Sequence, residues 1–249
     1  AELYAQEPEA SLRGKLKAAE AQTTPINRGV LSHRIIEERK VEFNPYVLTP
    51  HKRNYILPAV VTDDFNQGAY ANVPEVGQRF KNTEAKFQLS IKVPINDDRL
   101  FFDDDKLYVG LTIQSWWQIY ANDISRPFRE TNYQPEISYL SPTDWHPFGG
   151  NLGLGLGIEH QSNGRTQLLS RSWNRLYALV VFEKDKFSAV LRPWYRLKED
   201  LKDSASSAEG DDNPDILDFM GYFELELGYK WHKLEATALI RENFAKHKG

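Results

Sequence analysis

From Phe43 to Asn243 the chain is a series of short stretches in which apolar and polar residues alternate, rich in aromatic and β-branched side chains and separated by clusters of Asn, Asp, Gly and Pro. Such stretches read as strands, and such clusters as turns. Nine strands are predicted, near 44–61, 85–94, 106–121, 130–140, 151–164, 170–183, 186–198, 216–231 and 233–243. No helix-period core interrupts them and the links are short, so the pattern predicts an all-β fold, an antiparallel meander. The polar run KEDLKDSASSAEGDDNPD is long enough to be an exposed loop at one side of the sheet. Residues 1–42 differ: ASLRGKLKAAEAQ and VLSHRIIEERK are charged and poor in aromatics, and read as a surface extension ahead of a β-domain spanning 43–249.

The alternation has two unlike faces. Leu152, Leu154, Leu156 and Ile158 share one side of their strand, and Gly153, Gly155, Gly157 and Glu159 the other. In the next strand Leu176, Ala178, Val180 and Phe182 oppose Arg175 and Tyr177. Near the end of the chain Phe223, Leu225, Leu227 and Tyr229 oppose Tyr222, Glu224, Glu226 and Gly228. A soluble sandwich would turn the oily side inward, whereas a membrane barrel turns it toward lipid, and alternation by itself does not choose. Aromatics near strand ends (Trp116, Trp117, Tyr120, Tyr133, Trp145, Trp194, Tyr195, Trp231) suit interfacial girdles, and equally a core.

Composition narrows the options. The chain has 249 residues, 41% of them hydrophobic and 27% charged, enough for one sizeable domain. A mean hydropathy of -0.58, with no apolar run near the ~18 residues a spanning helix needs, excludes helical membrane insertion but not a barrel. With 31 Lys and Arg against 35 Asp and Glu the net charge is -4, so no basic excess is present to bind a phosphate backbone and nucleic acid is not an expected partner. The absence of cysteine excludes disulfides, thiolate metal sites and a cysteine nucleophile, and favours a bacterial envelope protein. The opening AELYAQEPEA lacks the basic and apolar regions of a signal peptide, which suggests that one has been removed.

The candidate chemistry lies in IEHQSNGRTQLLSRSWNRLY, residues 158–177. A hairpin centred near Gln167 sets His160 opposite Asn174, with Cβ atoms about 5 Å apart, and puts Ser162 two residues along on the same side. By parity that side continues the oily face of Leu154, Leu156, Ile158 and Leu176. Three polar groups on an apolar face are costly. They suit acyl transfer, with Ser162 as nucleophile, His160 as its base, and the Asn174 carbonyl oxygen fixing the imidazole tautomer. A neutral third member stabilises an imidazolium less than Asp does, so an added contributor at the oxyanion is expected. The Gly164 N–H in the turn is a candidate, because glycine permits close approach.

The strings QSWWQ (114–118), PFRETNYQPE (127–136), EHQSNGR (159–165), SRSWNRLY (170–177), PWY (193–195), DDNPDI (211–216) and MGY (220–222) together resemble outer-membrane phospholipase A in order and spacing, over about residues 43–240. The resemblance implies a twelve-stranded antiparallel transmembrane barrel in the Gram-negative outer membrane, with the 1–42 extension on the periplasmic side. It implies hydrolysis of the acyl esters of glycerophospholipids and lysophospholipids through an acyl-enzyme, and a calcium-dependent homodimer as the active form. The family's serine, histidine and asparagine fall on Ser162, His160 and Asn174. Its calcium ligands fall on Ser170, the Arg165 backbone carbonyl and, from the partner subunit, a serine matching Ser125, with Asp212 as an assisting carboxylate. The alternative is a porin-like or structural barrel in which His160 and Ser162 are bystanders.

Three departures accompany the resemblance. Gln167 stands where the family has an acidic residue in the catalytic turn, which lowers the expected calcium affinity. Ile113 stands on the oily face where the family carries an interface glutamine. The chain also shows nine strands rather than twelve, and an odd count leaves open sheet edges, so the barrel is expected to be C-terminally incomplete.

Overall fold

A computed structural model describes residues 29–44, 46–63, 70, 79–166, 169–204, 207 and 209–243. A helix α1 (Val30–Arg39) precedes the strands β1 (Thr49–Pro50), β2 (Tyr55–Val61), β3 (Thr83–Pro94), β4 (Lys106–Trp117), β5 (Phe128–Pro142), β6 (Asn151–Ser162), β7 (Ser172–Lys184) and β8 (Phe187–Leu197). A short helix α2 (Ile216–Met220) and the strands β9 (Phe223–Trp231) and β10 (Leu234–Glu242) follow. All ten strands form one antiparallel sheet in chain order from β3 to β10, with β1 and β2 both paired to β3. β1 and β2 lie end to end along β3 and so complete the single strand expected at 44–61. The strand predicted at 216–231 differs in detail: 216–220 is helix, and β9 starts only at Phe223.

The break between β1 and β2 has a physical cause in the pairing. Pro50 lies opposite Ile91 and Tyr55 opposite Gln88, so His51–Asn54 face only Leu89 and Ser90 and must bulge. The Asn54 amide replaces the lost ladder: its Oδ1 accepts from Ser90 N at 2.6 Å and its Nδ2 donates to Ser90 O at 3.3 Å. The bulge throws Lys52, Arg53 and the His51 imidazole across the inner face. Lys52 Nζ reaches Glu136 of β5 at 2.7 Å and Glu159 of β6 at 2.8 Å, His51 Nε2 meets Glu136 at 2.9 Å, and Arg53 reaches Glu226 of β9 and Glu235 of β10 at 2.6 and 2.9 Å. Contacts from the first strand to the last show that the sheet curls around its charged face.

Burial therefore runs opposite to that of a soluble sandwich. Glu84, Ser90, Thr112, Gln118 and Glu159 are buried to 1% exposure or less, while Leu156 is 64% and Val93 60% exposed. The oily face is the outer wall, as a barrel in lipid requires. The inner wall is closely filled: a Cβ on Gly157 would come within 2.3 Å of the Tyr177 ring, and the hydroxyl of Tyr177 crosses that glycine to donate to Glu136 at 2.6 Å. The strand-end aromatics divide accordingly. Tyr120, Tyr133, Trp145, Tyr195 and Trp231 are exposed, whereas Trp194 is buried on the inner side with Trp173 and Tyr177, so it belongs to a core rather than a girdle.

Residues 29–42 of the expected surface extension are docked, not loose, and 1–28 lie outside the described residues. Glu183 of β7 accepts from the α1 amides of Leu31 and Ser32 at 2.6 and 3.0 Å, a carboxylate at the positive end of a helix. Glu38 and Glu42 pair with the half-buried Lys92 and the buried Lys106 at 2.9 and 2.8 Å.

Two measurements check this architecture. Lys52→Met leaves Glu136 and Glu159 short of their shared cation and is expected to destabilise the sheet by about 3 kcal/mol, read as a lower urea midpoint for unfolding from detergent or lipid. Leu156→Arg is expected to cost about 2–4 kcal/mol in lipid bilayers; an unchanged midpoint would mean that this wall does not face lipid.

Candidate active site on the outer wall

The β6–β7 register pairs His160 with Asn174 and Ser162 with Ser172, as the hairpin arithmetic predicts. His160, Ser162 and Asn174 all project from the outer wall, half-buried, in line with Leu154, Leu156, Ile158 and Leu176. Asn174 Oδ1 lies 2.8 Å from His160 Nδ1. A carbonyl oxygen only accepts, so Nδ1 carries the proton and Nε2 keeps a lone pair. Among the described residues no hydrogen bond joins Ser162 Oγ to His160, and catalytic contacts of this kind often tighten only with substrate bound.

The turn that follows is held by a side chain the sequence reading passed over. Asn163, 5% exposed, accepts from the amides of Arg165 at 3.2 Å and Arg171 at 3.0 Å and donates to Leu169 O at 2.8 Å. It thus clamps both ends of the turn. Gly164 sits at φ +65°, where a Cβ is disfavoured, and its amide meets no acceptor among the described residues. Gln167 lies outside the described residues.

The four expected cation ligands gather only in part. Ser170 Oγ donates to Asp212 Oδ2 at 2.6 Å, and Ser172 Oγ donates to the same oxygen at 3.0 Å. Partial burial pushes the Asp212 carboxyl up, but hydrogen bonds from Lys202, Ser170 and Ser172 outweigh it and hold it below the usual carboxylate range. Lys202 Nζ pairs directly with Asp212 Oδ1. Arg165 follows in the same turn, with its guanidinium on Arg129 O at 2.8 Å. Ser125 is exposed in the β4–β5 connection at the same end of the sheet, in a left-handed conformation at φ 60°. No cluster of three His, Cys, Asp or Glu side chains occurs among the described residues.

The loop carrying Asp212 is exposed at Lys198, Asp200, Leu201, Asp203, Ser204 and Glu209, as its composition predicts, but not from Asp211 to Asn213. Asp211 and Asn213 are buried; Arg196 donates to Asp211 at 2.5 Å and to Pro214 O at 3.1 Å, and Asn213 donates to Ser172 O at 3.1 Å. Ile216, Leu217 and Met220 of α2 pack on Trp173, Tyr177 and Trp194. Sequence alternation says nothing about such a return, because the anchors are single polar groups rather than a periodic stripe. At the near end of this loop Glu199 Oε1 accepts from Asn174 Nδ2 at 2.7 Å. The β7–β8 register, which pairs Asn174 with Leu197, could have located Glu199, two residues further on and on the same side.

Residues 31–249 match the family model described as phospholipase A1. The chain belongs to the phospholipase A1 family. Phospholipase A1 of Escherichia coli K12 is 34% identical over 211 residues, which span 84% of this chain and 68% of that protein. The outer membrane phospholipase A structure from Escherichia coli superposes with a TM-score of 0.72 at 33% identity, covering 84% of this chain and 77% of that one. That of Salmonella typhi, a dimer with bound calcium, gives 0.71 at 34% identity over the same shares. Within this phospholipase A1 family member the clamp at Asn163 generates a direct expectation. Asn163→Ala leaves two turn amides and a carbonyl without their partner and should lower stability by about 1–3 kcal/mol, measured as a drop in unfolding midpoint against a control substitution in an exposed loop.

Proposed function

We propose that this protein is an outer-membrane ester hydrolase that removes acyl chains from glycerophospholipids and lysophospholipids. Ser162 is the nucleophile, His160 the general base, and Asn174 the group that orients His160. The observation that carries this reading is the 2.8 Å contact between His160 Nδ1 and Asn174 Oδ1, with Ser162 beside it, on a wall that is otherwise apolar. Polar groups at such a surface are expensive, and a substrate whose ester sits at the edge of its own hydrocarbon reaches them from the lipid side. The family membership and the named activity of the relatives support the same substrate class.

In this reading Ser162 Oγ attacks the ester carbonyl carbon while His160 Nε2 takes its proton. The tetrahedral oxyanion collapses, the C–O bond to glycerol breaks, and His160 returns the proton to the departing oxygen. Water, deprotonated by His160, then attacks the acyl-Ser162 carbonyl, the C–O bond to Ser162 breaks as His160 returns the proton to Ser162 Oγ, and the fatty acid leaves. Gly164 N–H, which meets no acceptor among the described residues, donates to the oxyanion. An open pore is the weaker reading, since Glu159, Arg175 and Arg192 fill the inner side and pair with one another there.

A calcium ion is part of the proposal. The Ser170 hydroxyl, the Arg165 backbone carbonyl and the Asp212 carboxylate, with Ser125 supplied by a second copy in a homodimer, form an all-oxygen donor set suited to a hard cation. The convergence of Ser170 and Ser172 on one Asp212 oxygen supports the fit. When bound, calcium supplies positive charge for the developing oxyanion. Lys202 occupies the other oxygen of Asp212 and competes for it. The apolar wall around Ile113, which lies between Leu89 and Tyr133 in the ladder, offers the dimer contact.

Ser162→Ala is expected to abolish phospholipid hydrolysis in mixed micelles and Asn174→Ala to reduce it less; equal hydrolysis by Ser162→Ala and the parent protein would overturn the assignment. Removal of calcium with EDTA should silence the parent protein. Lys202→Met should tighten calcium binding measured by calorimetry, and unchanged binding would exclude Lys202 as a competitor.

A further inference from the structure

The catalytic reading leaves one charged group at the site unused. Glu199 Oε1 accepts from Asn174 Nδ2 at 2.7 Å while Asn174 Oδ1 faces His160 at 2.8 Å. We infer that Glu199 is a positioning residue that acts through Asn174, fixing which end of the carboxamide meets His160 and adding the negative charge that an asparagine lacks. The inference rests on the proposed hydrolase reading.

What each group can donate decides the orientation. A carboxamide is nearly symmetric in shape, and turned over it would present Nδ2 to the imidazole. Nδ1 would then have to accept, the proton would sit on Nε2, and His160 would lose the lone pair it needs toward Ser162. A carboxylate only accepts, so Glu199 binds the NH2 end alone and excludes the turned-over orientation. The charge also matters. A hydrogen bond to a carboxylate polarises the amide, and chains of such bonds strengthen one another in a site shielded from water. Asn174 Oδ1 thereby becomes a better acceptor for the Nδ1 proton as the imidazolium forms.

Other charges nearby do not duplicate this role. Glu159 and Arg175 flank the pair in sequence but point to the inner side, where they bind each other. Asp212 and Lys202 are engaged with each other beside Ser172. Across the ladder the neighbours are Tyr133, opposite Ser162, and Leu197, opposite Asn174, neither of them charged. Glu199 comes from the first residues after β8, and the placement depends on the β7–β8 register.

The test compares Glu199→Gln, Asn174→Asp and the double variant with the parent protein in micelles, with barrel formation checked for each by its heat-modifiable migration on gels. Glutamine can either donate or accept, so Glu199→Gln removes both the charge and the orientational choice. It should lower kcat about tenfold, the size expected for a group that orients a catalytic side chain from one step away, with KM unchanged. Asn174→Asp puts two carboxylates in contact and should also lose activity. In the double variant the introduced glutamine amide donates to the new carboxylate, so adding Glu199→Gln to Asn174→Asp should restore at least part of the rate. That reversal of sign is not expected of a merely structural contact. Parent-like kcat for Glu199→Gln, or no rescue of Asn174→Asp in a folded double variant, overturns the inference. Hydrolysis that survives Ser162→Ala would overturn the hydrolase reading instead, so the two failures are distinguishable.

Discussion

Every backbone amide and carbonyl at membrane depth must be paired within the protein, because lipid offers no hydrogen bonds. That constraint organises the molecule. Strands β3 to β9 meet it by pairing on both edges, and pairing leaves each side chain only two directions, toward lipid or toward the inner side. The apolar residues take the first and the charged residues the second. The charged side is then far from water and must satisfy itself, which is why Lys52, Arg175 and Arg192 converge on Glu136, Glu159 and Glu224. The bulge at His51–Asn54 is the device that brings Lys52 in, at the expense of one interruption in the first strand.

The β6–β7 hairpin breaks the rule on the lipid side, and its polar groups are satisfied among themselves. His160 is held by Asn174, Asn174 by Glu199, and the turn above them by Asn163. Each is oriented by a neighbour that can only donate or only accept at the point of contact, which fixes protons without a buried ion pair.

The loop between β8 and β9 links the two sides of the wall. Its buried second half, through Asp211, Asn213 and α2, is fastened to Arg196, Ser172 and the Trp173–Trp194 pair, whose rings meet edge to face at 6.2 Å. Its first half presents Glu199 and Lys202 to the outer-wall cluster. A loop that would otherwise wander is thus fixed at both the site and the interior, and the geometry at Asp212 and Asn174 depends on that anchoring.

Period-two alternation, which reflects only the geometry of a strand, was enough to assign the all-β fold, the shared side of Leu154, Leu156 and Ile158, and the meeting of His160 with Asn174, because a tight hairpin makes facing residues computable from their numbers. Alternation could not say which side was wet; that required the exposure of Leu156 and the burial of Glu159 in one sheet. Contacts between distant segments were equally invisible: α1 on Glu183, the His51–Asn54 bulge, the burial of Asp211, and Lys202 on Asp212. They join single residues rather than periodic stripes, and no local period or composition records such a meeting.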